Sequence, residues 1–160
     1  MAVRRTIAII GSAGNMEQAI VSALAKGNNR LLLIGEDNDR LTRLANEIIK
    51  TIPAAEIEIM NCAFDGCWEA DMIILDVPYA GHKEVAEKIR DVATGKTIIS
   101  IYNSTEETLS NKNNEGLQKL LPYSKIVHLT VTTNTDETID ALIAGINAET
   151  LHTKAPLGKN

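Results

Sequence analysis

A chain of 160 residues with a net charge of −5 and few aromatics is long enough for one domain that buries roughly 70% of the surface of its unfolded form. The charges form no basic block, and Phe64, Trp68, Tyr79, Tyr102 and Tyr123 are scattered, which excludes a phosphate-neutralising groove or a base-stacking platform. Cys62 and Cys67 lack zinc or redox spacing, and His82, His128 and His152 fall on separate elements. The cysteines read as structural, the histidines as surface or satisfied residues, and no metal is expected.

The stretch TIAIIGSAGNMEQAIVSALA, Thr6 to Ala25, reads as a strand, a glycine turn and a helix. Ile7 to Ile10 are apolar throughout, and after Gly14 the apolar positions Met16, Ala19, Ile20, Ala23 and Leu24 recur at the spacing of one helix face. Such a turn presents backbone N–H groups and a helix N-terminus at the carboxyl edge of a sheet, where a phosphate is well received. Gly11 supplies the tight turn and Gly14 lets the backbone approach a pyrophosphate, so Gly11, Ser12, Ala13, Gly14, Asn15 and Met16 are candidate cofactor-binding residues. Glu17 follows in the first helical turn. There the helix dipole favours a carboxylate, which would nonetheless repel a pyrophosphate unless it points away.

Arg30 to Ile34 is a second buried strand, closed by Gly35 and an acidic turn. Glu36 and Asp37 lie 25 and 26 residues after Gly11, near the distance at which an acid accepts adenosine ribose hydroxyls. Either of them also suits the N-cap of the next helix, whose face is Leu41, Leu44, Ala45, Ile48 and Ile49. An acid at this place disfavours a 2′-phosphate, which leans the cofactor expectation from NADP toward NAD, with Arg40 and Arg43 close enough to soften it.

Glu56 to Met60 alternates polar and apolar residues, as an edge strand does. Asp71 to Val77 is a buried strand stopped by Pro78, and the next helix is marked by Val85, Ile89, Val92 and Ala93. Val77, Pro78 and Tyr79 close the fourth strand at the same edge, beside the expected nicotinamide ribose. Asp76 is either an ionisable crevice residue or a helix cap. Lys96 to Ile101 is a fifth strand, and Tyr102 and Asn103 at its end complete the rim by position.

From Asn103 to Gly116 the chain is polar and reads as a surface loop or a lid. Leu117, Leu120 and Leu121 mark a short helix. Lys125 to Val131 is a sixth strand, and Asp136 caps a helix with the face Ile139, Leu142, Ile143 and Ile146. Glu149 to Thr153 is a possible last strand, and the tail from Lys154 to Asn160 is expected to fray.

Strands alternate with helices throughout. The expected fold class is α/β: a Rossmann-type doubly wound, mainly parallel sheet with helices on both faces. One minimal domain spans residues 1–160, with its core at about 5–153. Tyr79 and Lys83 also form the Y-x-x-x-K pair of short-chain dehydrogenases, but after the fourth strand instead of the fifth.

The segments IAIIGSAGNM, LLLIGEDNDRL, ADMIILDVPY, GKTIISIYN and SKIVHLTVTTNTDETIDALI together resemble the nucleotide-binding domain of the deazaflavin (coenzyme F420)-dependent NADP reductases and of pyrroline-5-carboxylate reductase. The G-x-x-G-N-[LM] turn and the A-D-x-x-I-L-x-V-P-Y strand end are the most specific pieces. The resemblance implies a nicotinamide dinucleotide as partner, with hydride chemistry carried by the cofactor and oriented by the protein.

Glu17 stands where the family's turn has a third glycine, Glu36-Asp37 where its NADP-specific members have Ser-Arg, and Val131 where an Asn or His is usual. The sequence also ends before the C-terminal helices that complete the family's second-substrate pocket, so a homodimer partner is expected to close it. The expected function is therefore a cytoplasmic NAD(P)-dependent oxidoreductase acting with a small-molecule second substrate. Its catalytic residues are unassigned beyond Asp76 and Tyr79 as guesses. The alternative is a non-catalytic dinucleotide-sensing or protein-interaction module on the same fold, with no nucleic-acid or membrane partner in either case.

Overall fold

The structure, a computed structural model, describes residues 4–11, 15–77, 81–103, 116–131 and 136–147. Six strands run β1 (Arg5–Gly11), β2 (Asn29–Ile34), β3 (Glu56–Met60), β4 (Met72–Asp76), β5 (Thr97–Asn103) and β6 (Lys125–Val131). The helices are α1 (Asn15–Ala25), α2 (Asn38–Thr51), α3 (Ala63–Glu69) and α4 (His82–Ile89), followed by α5 (116–120) and α6 (136–147).

All strands pair in parallel, in the spatial order β3-β2-β1-β4-β5-β6. The order reverses between β1 and β4, and that switch point is where an open α/β sheet leaves a crevice beyond its carboxyl edge. This is the doubly wound parallel sheet expected from the alternation of elements, with β3 at the edge as its alternating pattern required.

Side-chain alternation along each strand supplies both faces. Ile7, Ile9, Leu31, Leu33, Ile74 and Ile99 meet Ile20 and Leu24 of α1, Leu41 and Ile48 of α2, and Leu142 of α6. Ala8, Ile10, Leu32, Ile73, Leu75 and Ile98 meet Cys67 of α3, Ala86 and Ile89 of α4, and Leu117 of α5. A central strand that buries both faces must be apolar at every position, which is why β1, β2 and β4 read as continuous runs.

The sequence reading gave no helix between β3 and β4, and α3 stands there. Its packing depends on Gly66, where an added Cβ would stand 2.6 Å from Ile34 Cδ1. Lys96 Nζ donates to the carbonyls of Cys67 and Trp68 at the end of this helix, and burial lowers the pKa of that ammonium. Cys67 is buried, with its thiol pushed up to about 12 by desolvation, as a structural cysteine should be. Cys62, read as structural with it, is instead exposed.

Among the described residues no helix is long and apolar enough to cross a membrane. The possible strand at 149–153, the tail and most of the polar stretch after Asn103 lie outside the described residues.

Candidate functional site

The parallel sheet places the ends of β1 to β4 along one edge, and a cavity of about 850 Å³ opens there. Its walls include Ile10 and Gly11 from β1, Gly35 to Asn38 after β2, Asn61 to Ala63 after β3, and Val77 with Gly81 after β4. The volume suits a cofactor-sized ligand. A smaller cleft of about 350 Å³ lies elsewhere, between Arg90 to Thr94 and Leu121 to Ser124.

At the β1–α1 junction, Glu17 is buried, with 1% of its surface exposed. Its carboxylate folds back over Gly11, so that a Cβ on that glycine would collide with Glu17 Oε2. The sequence reading placed Met16, Ala19, Ile20, Ala23 and Leu24 on one face of α1. Of these, Ile20 and Leu24 are buried and Ala19 and Ala23 half-buried, while Glu17 and Val21 are buried as well. Two things compensate the buried charge: the first turn of α1 favours an anion, and Arg40 Nη2 donates to Glu17 Oε1 at 3.3 Å and Oε2 at 3.4 Å.

Asp76 ends β4 in register with Gly11. Burial first, and then the charge of Glu17, raise its pKa from 3.8 to about 6. The N-cap of the following helix α4 is Gly81 and not Asp76.

Beyond β2, Glu36 and Asp37 are both exposed and both line the cavity. Asp37 is also the N-cap of α2, its Oδ1 accepting from the Arg40 backbone N–H at 3.0 Å. One acid of the pair therefore caps the helix, while Glu36 faces the cavity. Asn38 Nδ2 donates to Asn61 Oδ1 at 2.6 Å and ties the start of α2 to the end of β3.

Val77 is largely buried, and its carbonyl lies 3.1 Å from His82 Nε2. A carbonyl can only accept, so this geometry puts the imidazole proton on Nε2. His128 on β6 stands near enough to His82 for that ring, after burial, to lower the His128 pKa.

Of the other sequence candidates, Ser12, Ala13, Gly14, Pro78 and Tyr79 lie outside the described residues. The backbones of Asn15 and Met16 open α1. Those of Tyr102 and Asn103 end β5, paired with 130 and 131 of β6 at the same edge. The structure thus gathers Gly11, Glu36, Asp37 and Val77 on one cavity. It also brings in Arg40, which the sequence reading set near the acidic turn, and adds Asn61, Cys62 and Ala63, which that reading did not place in a site. Lys83 falls on α4, directly after β4, so the Y-x-x-x-K reading lacks its required place after the fifth strand. Among the described residues, no group of His, Cys, Asp and Glu could hold a metal ion.

Comparison with solved structures places the fold among dehydrogenases. The imine reductase of Myxococcus stipitatus superposes with a TM-score of 0.67 at 15% identity in its V8 variant with NAD+, covering 84% of this chain and 43% of that one. With NADP+ it gives 0.65 at 15%, covering 82% and 42%. The shikimate dehydrogenase of Mycobacterium tuberculosis gives 0.54 at 16%, covering 79% and 45%. At such identities the likeness is one of fold, and the chain spans about two fifths of the length of these enzymes. No curated protein matches the sequence. A family model described as NADP oxidoreductase, coenzyme F420-dependent, matches residues 6–104, from β1 past the end of β5. The chain belongs to the coenzyme F420-dependent NADP oxidoreductase family.

Proposed function

We propose that residues 1–160 act as one dinucleotide-binding domain of an NAD(P)-dependent oxidoreductase. The observation that carries this reading is the cavity at the switch point of the sheet, bounded by Gly11 at the end of β1 and by the acidic turn after β2. The family match and the NAD+ and NADP+ complexes of the imine reductase support it.

In this reading the pyrophosphate lies on the turn from Gly11 to Met16, and Glu36 accepts from the adenosine ribose. Val77, Pro78, Tyr79, Tyr102 and Asn103 flank the nicotinamide end. The residues fit such a ligand. The cavity has its volume, and Gly11 and Glu36 line it, while among the described residues the Glu17 carboxylate lies over Gly11 and is paired with Arg40. When bound, the dinucleotide supplies or accepts hydride. The chain's own residues bind it, orient it and shield it from water on the sheet side.

NAD is the favoured cofactor, because Glu36 repels a 2′-phosphate. A small-molecule second substrate, a homodimer that closes the nicotinamide face and a cytoplasmic setting complete the proposal. A second reading, a dinucleotide sensor without catalysis, is favoured by one observation. A buried carboxylate, Glu17, sits in the first turn of the helix that would face the pyrophosphate.

Titration of the protein with NADH, NADPH, NAD and NADP, followed by heat of binding and melting temperature, tests both readings. Micromolar saturation, about −8 kcal/mol, with NADH tighter than NADPH, is the expected result. Absence of binding at millimolar concentration overturns it. Hydride transfer to a panel of deazaflavin and imine acceptors then separates the oxidoreductase from the sensor.

A further inference from the structure

Arg40 is the residue whose behaviour the dinucleotide reading alone does not explain. It lies three positions beyond Asp37, and its backbone N–H is held by the Asp37 carboxylate. Its side chain therefore starts beside the expected adenosine ribose, and it lines the cavity. A guanidinium in that place is well formed to receive a phosphate, with planar paired donors and a charge that does not titrate. Yet the same guanidinium reaches back to both oxygens of Glu17. The Glu17 side chain is 2% exposed, and that of Arg40 30%.

We infer that Glu17 withholds Arg40 from the crevice and so sets the chain against a 2′-phosphate on the adenosine ribose. The inference rests on the dinucleotide reading above. Because Glu17 already holds Nη2 and matches the guanidinium charge, a 2′-phosphate gains less from Arg40 than from an unpaired cation, and drawing Nη2 away would strand a buried carboxylate. Glu36 on the same wall adds direct repulsion to an incoming dianion. Glu17 is thus a positioning residue that acts through Arg40. In the position where the family's turn has a glycine, it holds a cation that would otherwise face the ribose.

Three proteins test this: the wild type, Glu17→Gln, and the double variant Glu17→Gln/Arg40→Gln, each titrated with NADH and NADPH. The wild type is expected to favour NADH. Glu17→Gln should move the affinity ratio toward NADPH by about tenfold or more, the size of one charge-assisted hydrogen bond to phosphate. The double variant should bring the ratio back. Equal gains for both nucleotides in Glu17→Gln would overturn the inference, because Glu17 would then act on the shared pyrophosphate and not through Arg40. If Glu17→Gln fails to fold, Glu17→Leu carries the same readout, and a wild-type preference for NADPH overturns the inference without any variant. Failure of the wild type to bind either nucleotide at millimolar concentration removes the dinucleotide reading itself. That result differs from binding with an unmoved ratio.

Discussion

On the sheet face covered by α1, α2 and α6, the buried polar side chains among the described residues are Glu17 at the crevice rim and Thr138 near the start of α6. On the face covered by α3, α4 and α5, His82, Ser100 and Ser124 are buried among aliphatics. The first face places a charge at the edge, and its partner Arg40 comes from another helix. The second uses hydroxyls and an imidazole, and two of these groups hold loop backbone. His82 Nε2 meets the Val77 carbonyl, and Ser124 Oγ donates to the Ala93 carbonyl at 2.7 Å. The difference separates a polar residue that shapes the crevice from polar residues that fasten the connections around it.

The comparison breaks first if aliphatic packing does not hold the charged face. Leu33 is 1% exposed, and Leu33→Ala should cost about 3 kcal/mol through lost burial and the cavity left behind, read as a fall in the urea midpoint. A loss under about 1 kcal/mol would mean that the two clusters do not close around β2 as described.

The next effect concerns Asp76, which touches the charged rim from β4. Its folded pKa of about 6 lies above the ordinary value of 3.8, so the folded state keeps this proton longer than the unfolded chain does. Stability therefore falls as pH rises through about 4 to 6 and stays reduced above, by up to about 3 kcal/mol. Asp76→Asn should remove that part of the slope and stabilise the protein at pH 7. An unchanged pH profile would place Asp76 in water.

Arg40→Gln sharpens the contrast by stranding the Glu17 carboxylate. The full cost of breaking a buried pair is tempered by the partial exposure of Arg40, leaving about 2 kcal/mol in thermal unfolding. The opposite face should respond least. Ser100 Oγ has no hydrogen-bond partner among the described residues, so Ser100→Ala should leave stability within about 0.5 kcal/mol or raise it slightly. A loss above 1 kcal/mol would reveal a partner for this hydroxyl.

Much of the fold was legible because each strand carried its own burial pattern. The apolar runs of β1, β2 and β4 and the alternation of β3 located them without tertiary information, and the span read for β6 matches Lys125–Val131. The helix α3 was not legible. Seven residues with a glycine at the centre carry little helical propensity, and Gly66 is there for its close contact with Ile34.

The site was half legible. Gly11, Glu36, Asp37 and Val77 could be placed because strand ends in a parallel sheet share one edge. The inward turn of Glu17 could not, because a carboxylate in a first helical turn reads as solvent-facing until its cation is known. That cation is 23 residues away in sequence. Asn61, Cys62 and Ala63 join the wall only through the position of β3 in the sheet, which no local pattern announces.

The central claim, a dinucleotide on the carboxyl edge of β1 to β4, is tested most directly by amide chemical shifts on addition of NADH. The account predicts that the largest changes fall at Gly11, Gly35, Glu36, Asp37 and Gly81, with Arg90, Thr94 and Tyr123 at the smaller cleft unmoved. Changes concentrated at that cleft, with the carboxyl edge silent, would contradict it.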